Sequence, residues 1–269
     1  MIRLAHIDLP PDIVKKLHGY QQAVNKGATY ADRVALAKRH FGLRNRKDNK
    51  TFEAVKHSLT EMCSGARRCC YCEDSVADEV EHIKPKDLYP ELVFVWENYL
   101  YACGPCNGPK NNCFAIFAAD DGQMVEVGRT RDTLALPPTR GEPVLIDPRQ
   151  EDPLDYMELD LPGTFLFLPV GEPGTLSHQR AEYTIKLLGL NRRDYLLKAR
   201  AEAYCSYRAR LAEYVHRRDA GATPADLERL ISGVRRMNHP TVWREMQRQH
   251  TIIPELRDLF DATPEALFW

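Results

Sequence analysis

Apolar residues recur every three to four positions in three stretches near the beginning of the chain, at 13–20, 30–37 and 52–59. This period places them on one face of a helix. We therefore predict that residues 1–61 form a helical N-terminal region. The polar run 44–50, Arg-Asn-Arg-Lys-Asp-Asn-Lys, interrupts the pattern and is predicted to be a solvated loop.

The pattern changes in the middle of the chain. Short runs typical of strands, at 123–127, 143–147 and 164–168, alternate with Gly and Pro. This indicates a strand-containing connector over residues 119–176. Helical periodicity then returns over 177–269, with Gly189 predicted to end one helix and Asn191 to cap the next. The fold class is thus predicted to be α+β.

Composition limits the possible functions. The chain has 269 residues and a net charge of −1, so it is no polycation, and any nucleic-acid surface must be local. We see neither a secretory signal nor an apolar run long enough to cross a membrane. The cytoplasm is the expected location.

Four of the eight cysteines form two Cys-x-x-Cys pairs: Cys69 with Cys72, and Cys103 with Cys106. A two-residue turn lets both sulfurs of a pair face one ion, so the two pairs predict a tetrahedral structural zinc site. A redox or disulfide function is the alternative, but no thioredoxin-like strand–helix context surrounds either pair. Cys70 breaks the usual spacing and is interpreted as a packed residue.

A second set of polar residues lies between and just behind the cysteine pairs: Glu81, His82, Asn98, Asn107 and Lys110. A Glu–His pair alone is weak evidence for chemistry. Here Asn107 directly follows the last cysteine and Lys110 comes three residues later. The combination is what makes this segment a candidate site.

The order of these residues resembles the HNH endonuclease family, whose core is a ββα-metal element. The matching pieces are Glu81-His82-Ile83-x-Pro85, Asn98-Tyr99-Leu100 and Cys103-x-x-Cys106-Asn107-x-x-Lys110, within residues 66–114. Many members have His directly after the last Cys, where this chain has Asn107. An amide oxygen suits a hard cation better than imidazole does. The resemblance implies an HNH nuclease core with zinc-binding knuckles over residues 62–118.

The resemblance also implies roles for the individual residues. His82 would be the general base that activates water, and its ordinary pKa suits that task near neutral pH. Glu81 and Asn107 would hold one Mg²⁺ or Mn²⁺ through oxygen. Asn98 would brace the loop that carries His82, and Lys110 would contact a phosphate.

Simpler interpretations stay open for three positions. Glu79 is a rival of Glu81 as the metal ligand. Asn98 can be an ordinary turn residue, and Lys110 can be a solvated surface lysine.

Four basic residues next to the motif are predicted to contact a nucleic-acid backbone: Arg67, Arg68, Lys84 and Lys86. Such contacts supply affinity without reading sequence. The stretch 192–218 is also rich in arginine, although a run of this kind is most simply a solvated helix face. No base-recognition motif accompanies these residues.

The C-terminal two-thirds of the chain is similar to the PtuB-like HNH proteins of the Septu and retron-associated anti-phage systems. The similarity rests on Leu145-Ile146-Asp147-Pro148, on 180–185 and on 188–192. The resemblance implies an ABC/SMC-like ATPase partner, PtuA-like. This chain has no phosphate-binding loop of its own, so any ATP dependence must come from another subunit. The C-terminal helices could dock that partner or simply pack on the protein's own core.

Taken together, the sequence predicts a metal-dependent DNA endonuclease, the nuclease subunit of an anti-phage system, with structural Zn²⁺ and catalytic Mg²⁺ or Mn²⁺. The alternative is a zinc-knuckle subunit that binds nucleic acid or docks an ATPase without cutting.

Overall fold

Helices at both ends of the chain enclose small antiparallel sheets in the computed structural model, which describes residues 1–129 and 134–269. The helices are α1 Pro11–Asn25, α2 Tyr30–Arg44, α3 Lys50–Glu61, α4 Gly104–Lys110, α5 Leu176–Leu187, α6 Asp194–Asp219, α7 Pro224–Arg235, α8 Pro240–Gln249 and α9 Pro254–Ala262. The strands are β1 Glu79–His82, β2 Tyr99–Ala102, β3 Ala115–Ala118, β4 Met124–Glu126, β5 Gly141–Pro143, β6 Met157–Leu159 and β7 Phe167–Pro169. The architecture is mixed α+β, as the periodicity predicts.

Helices α2 and α3 start at side-chain caps. The Thr29 hydroxyl accepts a hydrogen bond from the Asp32 backbone N–H, and the Asp32 carboxylate accepts one from the Thr29 N–H, which together form a capping box. Asn49 caps α3 with its side-chain oxygen, which accepts hydrogen bonds from the Thr51 and Phe52 backbone N–H groups. The buried face of α3, which includes Phe52, packs against Tyr99 of β2, with ring centroids 6.2 Å apart.

Strands β1 and β2 form an antiparallel pair in which Glu79 lies opposite Ala102 and His82 opposite Tyr99. Cys103 follows β2 directly and is the N-cap residue of α4. The chain thus runs from strand to strand to helix, and this order places the two cysteine pairs and Glu81-His82 in one small region.

The connector contains a three-stranded sheet in the order β4-β3-β5 and a separate β6–β7 pair. The strand predicted over 143–147 is wrong in its extent, because β5 ends at Pro143. Beyond it the backbone finds other partners, since the Ile146 N–H donates to the Thr184 hydroxyl of α5 at 3.1 Å. The sequence also did not anticipate β3 or β6.

The turn after α5 differs from the prediction in one respect. Gly189 takes the left-handed conformation, with a φ of +60°, that ends the helix. Asn191 does not cap α6, which begins at Asp194. Its amide instead bonds both backbone groups of Phe167, at 2.9 and 2.8 Å, and so ties this turn to β7.

The C-terminal helices pack largely on one another. Tyr207 of α6 contacts Trp243 of α8, and Trp243 stacks on Trp269 with an interplanar angle of 16°. Of the helices in residues 1–129 and 134–269, none is both long enough and apolar enough to cross a membrane.

Candidate metal centre and catalytic cleft

The four cysteines of the two Cys-x-x-Cys pairs meet in space. All are buried, and their sulfurs lie within 4.8 Å of one another. The sulfurs of Cys72 and Cys103 are 3.8 Å apart, which matches the edge of a tetrahedron whose metal–sulfur arms are about 2.3 Å long. The donor set and its spacing therefore fit zinc, and these four residues could bind it.

Hydrogen-bond donors around the cysteine sulfurs would stabilise thiolates. The Tyr71 backbone N–H donates to Cys69 Sγ at 3.4 Å, and Nη2 of Arg193 donates to Cys106 Sγ at 3.2 Å. Without a cation, burial and the neighbouring thiols raise the pKa of the Cys69 thiol well above its usual range. A divalent ion, when bound, would allow four thiolates to share this site. Cys70, also buried, lies outside the set.

Strand β1 carries the candidate catalytic residues next to this centre. Because side chains alternate along a strand, Glu79 and Glu81 share one face and His82 belongs to the other. Glu79 is exposed, whereas Glu81 and His82 are buried. All three line a cleft of about 720 Å³ together with Asn107 of α4.

The imidazole of His82 is held in one tautomer. Its Nε2 lies 3.0 Å from the Val93 carbonyl oxygen, which can only accept a hydrogen bond, so Nε2 carries the proton and Nδ1 keeps its lone pair. The ring packs against Phe41 and Tyr99, with centroids 4.5 and 5.2 Å away. Burial, helped by the charge of Lys86, lowers the pKa of His82 to about 3. The imidazole is therefore neutral at physiological pH.

Lys110 lies inside the protein. Its side chain is fully buried, forms an ion pair with Glu81 and donates to the His82 carbonyl oxygen at 2.8 Å. The sequence analysis expected Lys110 to contact a phosphate. This placement does not agree with that expectation, because the ammonium already bonds two groups of β1, the Glu81 carboxylate and the His82 carbonyl oxygen. Burial raises the pKa of Glu81, and the charge of Lys110 opposes that shift.

Asn107 contacts the rival acid rather than Glu81. Its Nδ2 donates to Glu79 Oε2 at 2.5 Å, which leaves Oδ1 as the atom available to a cation. Glu79, Glu81 and Asn107 thus bring oxygen ligands to the same cleft. Glu79 therefore stays a candidate metal ligand, together with Glu81 and Asn107, which the sequence analysis favoured.

Asn98 joins three backbone groups around the loop that follows His82. Its Oδ1 accepts from the Lys84 N–H at 2.8 Å, and its Nδ2 donates to the carbonyl oxygens of Lys84 and Leu92 at 3.0 and 3.1 Å. The side chain is buried. This geometry links the segment after His82 to the segment that ends near Val93, the acceptor of the His82 hydrogen bond.

The predicted backbone-binding residues are dispersed. Lys86 lines the cleft with His82. Lys84 lines a different cavity of about 780 Å³. Arg68 donates to the Asn238 side chain at 3.1 Å, and Arg67 lies beside the Tyr101 ring. The structure therefore brings only Lys86 of these four to the candidate catalytic residues.

Sequence reasoning missed two groups of basic residues. Arg193 and Arg200, in the stretch interpreted as a solvated face, turn inward, and Arg200 is 2% exposed. Arg46, Lys47 and Lys56 line the catalytic cleft. The positive charge of the run 44–50 could have marked Arg46 and Lys47 as candidate binding residues. No pattern in the neighbouring sequence indicated that this run lies near His82.

Comparison with known proteins supplies one link. The chain is similar to the Septu protein PtuB of Bacillus thuringiensis, with 46% identity over 61 residues. The similarity covers 21% of this chain and 23% of the relative, so the chain matches less than a quarter of the relative's length. No family model matches the sequence, and no solved structure matches it. This partial relationship suggests a component of anti-phage defence.

Proposed function

We propose that this protein is a metal-dependent HNH endonuclease that hydrolyses phosphodiester bonds of DNA. The observation that carries the proposal is the geometry of His82: its imidazole lines the cleft, and the Val93 carbonyl places the proton on Nε2 and leaves the Nδ1 lone pair free. An imidazole in this state can accept a proton from water at Nδ1. The strand–strand–helix element β1–β2–α4 would be the nuclease core.

The oxygen ligands beside His82 suit a hard cation. Glu81 and Asn107 would hold one Mg²⁺ or Mn²⁺, with Glu79 as a further carboxylate on the same face. The ion, when bound, would stabilise charge that develops on the phosphate and the leaving oxygen. Lys110 positions the Glu81 carboxylate through their ion pair, and Asn98 holds the loop behind His82.

The cysteine centre has a structural role in this proposal. Cys69 and Cys72 precede β1, whereas Cys103 and Cys106 bracket the start of α4. A zinc ion held by all four would join the strand side of the element to its helix side. Such a cross-link would add to the stability that this element gains by packing on α3.

The biological setting follows from the partial similarity to PtuB. We place the chain in an anti-phage system as its nuclease subunit, with a PtuA-like ATPase as partner, in the cytoplasm. The alternative is a subunit that binds nucleic acid or docks the ATPase without cutting, and the same experiment separates the two.

The test uses the full-length protein and supercoiled plasmid, with Mg²⁺, with Mn²⁺ and with EDTA. We expect metal-dependent nicking by the wild type and by His216→Ala, a control at an exposed histidine of α6. His82→Ala should lose cleavage and keep its zinc. Binding without nicking in either metal, with and without a PtuA-like ATPase, would reject the enzyme in favour of the alternative. Loss of zinc in His82→Ala would overturn the assignment of two separate metal sites.

A further inference from the structure

The wall of the cleft that faces β1 and α4 comes from the N-terminal helical region. It contains Phe41 and Asn45 at the end of α2, Arg46 and Lys47 in the loop that follows, and Lys56 of α3. The two walls differ in charge. One presents the carboxylates and amides of the candidate catalytic residues, and the other presents cations.

The cations on this wall have no acidic partner within residues 1–129 and 134–269. No ion pair is formed there by Arg46, Lys47 or Lys56. Lys38 of α2, by contrast, forms an ion pair with Asp87 at 2.6 Å. Burial, together with the charge of Lys47, lowers the pKa of Lys56. Like charges held this close favour binding of an anion between them.

The loop is exposed to solvent, but the segments on either side of it are fixed by packing and hydrogen bonds. The Asn49 side chain accepts hydrogen bonds from the Thr51 and Phe52 N–H groups at 3.0 and 3.2 Å, which fixes the end of the loop at the start of α3. At its other end, the Phe41 ring packs against the His82 imidazole. The positions of the cations relative to the catalytic strand are therefore set by packing.

We propose that Arg46, Lys47 and Lys56 form a phosphate-binding wall that holds the backbone of a DNA strand against β1. This inference rests on the proposed function for its ligand, because a phosphodiester backbone is the polyanion that such a nuclease would bind. The residues flank the scissile phosphate rather than react with it. Contacts of this kind give affinity and register without base readout.

Binding is measured in the otherwise wild-type chain, without Mg²⁺ or Mn²⁺ so that DNA is not cut and the packing of Phe41 on His82 is kept. Fluorescence anisotropy is recorded with a labelled DNA duplex over a series of salt concentrations. The test variant adds Arg46→Gln, Lys47→Gln and Lys56→Gln. The matched control adds Lys15→Gln, Lys26→Gln and Arg217→Gln, three exposed cations outside the cleft. Both variants change the net charge equally, and both should keep their zinc and their thermal midpoint.

We expect the cleft variant to bind about 10- to 1,000-fold more weakly at low salt. The slope of log affinity against log salt should fall by about 0.9 for each phosphate that the protein no longer neutralises. The control should keep the slope. Equal slopes for the two variants, with both folded, would overturn the inference even if the wild type nicks plasmid. If no nicking is found but the cleft variant alone binds DNA more weakly, the phosphate-binding wall stands and the endonuclease proposal fails.

Discussion

Arg193, the residue that precedes α6, donates a hydrogen bond from Nη2 to the Sγ of Cys106 at 3.2 Å, although the two are 87 positions apart in the chain. Its guanidinium also donates to the Leu188 and Gly189 carbonyl oxygens, at 2.9 and 3.2 Å. Four thiolates with one Zn²⁺ carry a net charge of −2. The C-terminal region thus supplies a positive charge to the predicted zinc centre.

We expect Arg193→Ala to weaken zinc binding by about 10- to 100-fold, the usual effect of removing a residue that hydrogen-bonds a metal ligand. The rate of zinc transfer to a colorimetric chelator measures this. Arg192→Ala, a change at the exposed neighbour, is the control and should release zinc like the wild type. Equal rates for the two variants would show that Arg193 does not support the centre.

Lys110→Met should destabilise the protein strongly, because it leaves the buried Glu81 carboxylate without its ion-pair partner. Breaking one side of a buried pair costs roughly 3–5 kcal/mol of unfolding free energy. The double variant Glu81→Gln with Lys110→Met should recover much of that loss. The unfolding free energies of the wild type, the single variant and the double variant are measured by urea denaturation in excess zinc. If Lys110 were a surface lysine, the single variant would unfold with the wild type.

Asn98→Ala should lower activity without loss of zinc. It removes three hydrogen bonds to the backbone of Lys84 and Leu92, and each backbone group left unpaired in the interior costs about 1–3 kcal/mol. A displaced His82 loop should reduce the rate of nicking by about 10²-fold. Plasmid nicking and zinc content are the measurements. An unchanged rate of nicking would mean that Asn98 is an ordinary turn residue with no role in catalysis.

Asp147 should make stability fall as pH rises through the acid range. Burial raises its pKa to about 6, above the value near 3.9 in an unfolded chain. Between these values the folded state binds more protons, so the unfolding free energy decreases with pH, by up to roughly 3 kcal/mol above pH 6. Asp147→Asn keeps the oxygen that accepts from the Arg149 N–H and removes the titration.

The measurement for Asp147 is urea denaturation of both proteins at several pH values between about 4.5 and 7.5. The variant should gain stability relative to the wild type as pH rises, and the gain should level off above pH 6. Taking the difference between the two proteins removes effects of pH on the cysteine centre. A constant difference across this range would show that Asp147 ionises as easily in the folded protein as in the unfolded one.

Features that depend on neighbouring residues could be predicted from the sequence. Helical periodicity and caps such as Asn49 act within a few positions, so the N-terminal helices are where the pattern puts them. The two-residue turn of Cys103-x-x-Cys106 likewise lets both sulfurs face one point. The α+β class and the facing of two sulfurs within each cysteine pair follow from such short-range geometry, and the partial similarity to PtuB fits the Septu link that the sequence suggested.

Contacts between distant segments were decided by tertiary packing. Arg193 meets Cys106 only because the turn after α5 docks on α4, and nothing within either segment encodes that approach. Burial converts Lys110 from an expected phosphate contact into the partner of Glu81. The run 44–50 is a solvated loop, as the sequence predicts, but packing of Phe41 on His82 places Arg46 and Lys47 at the cleft that His82 lines. Charge and spacing specify what a residue can bind, but only the folded chain determines what lies within its reach.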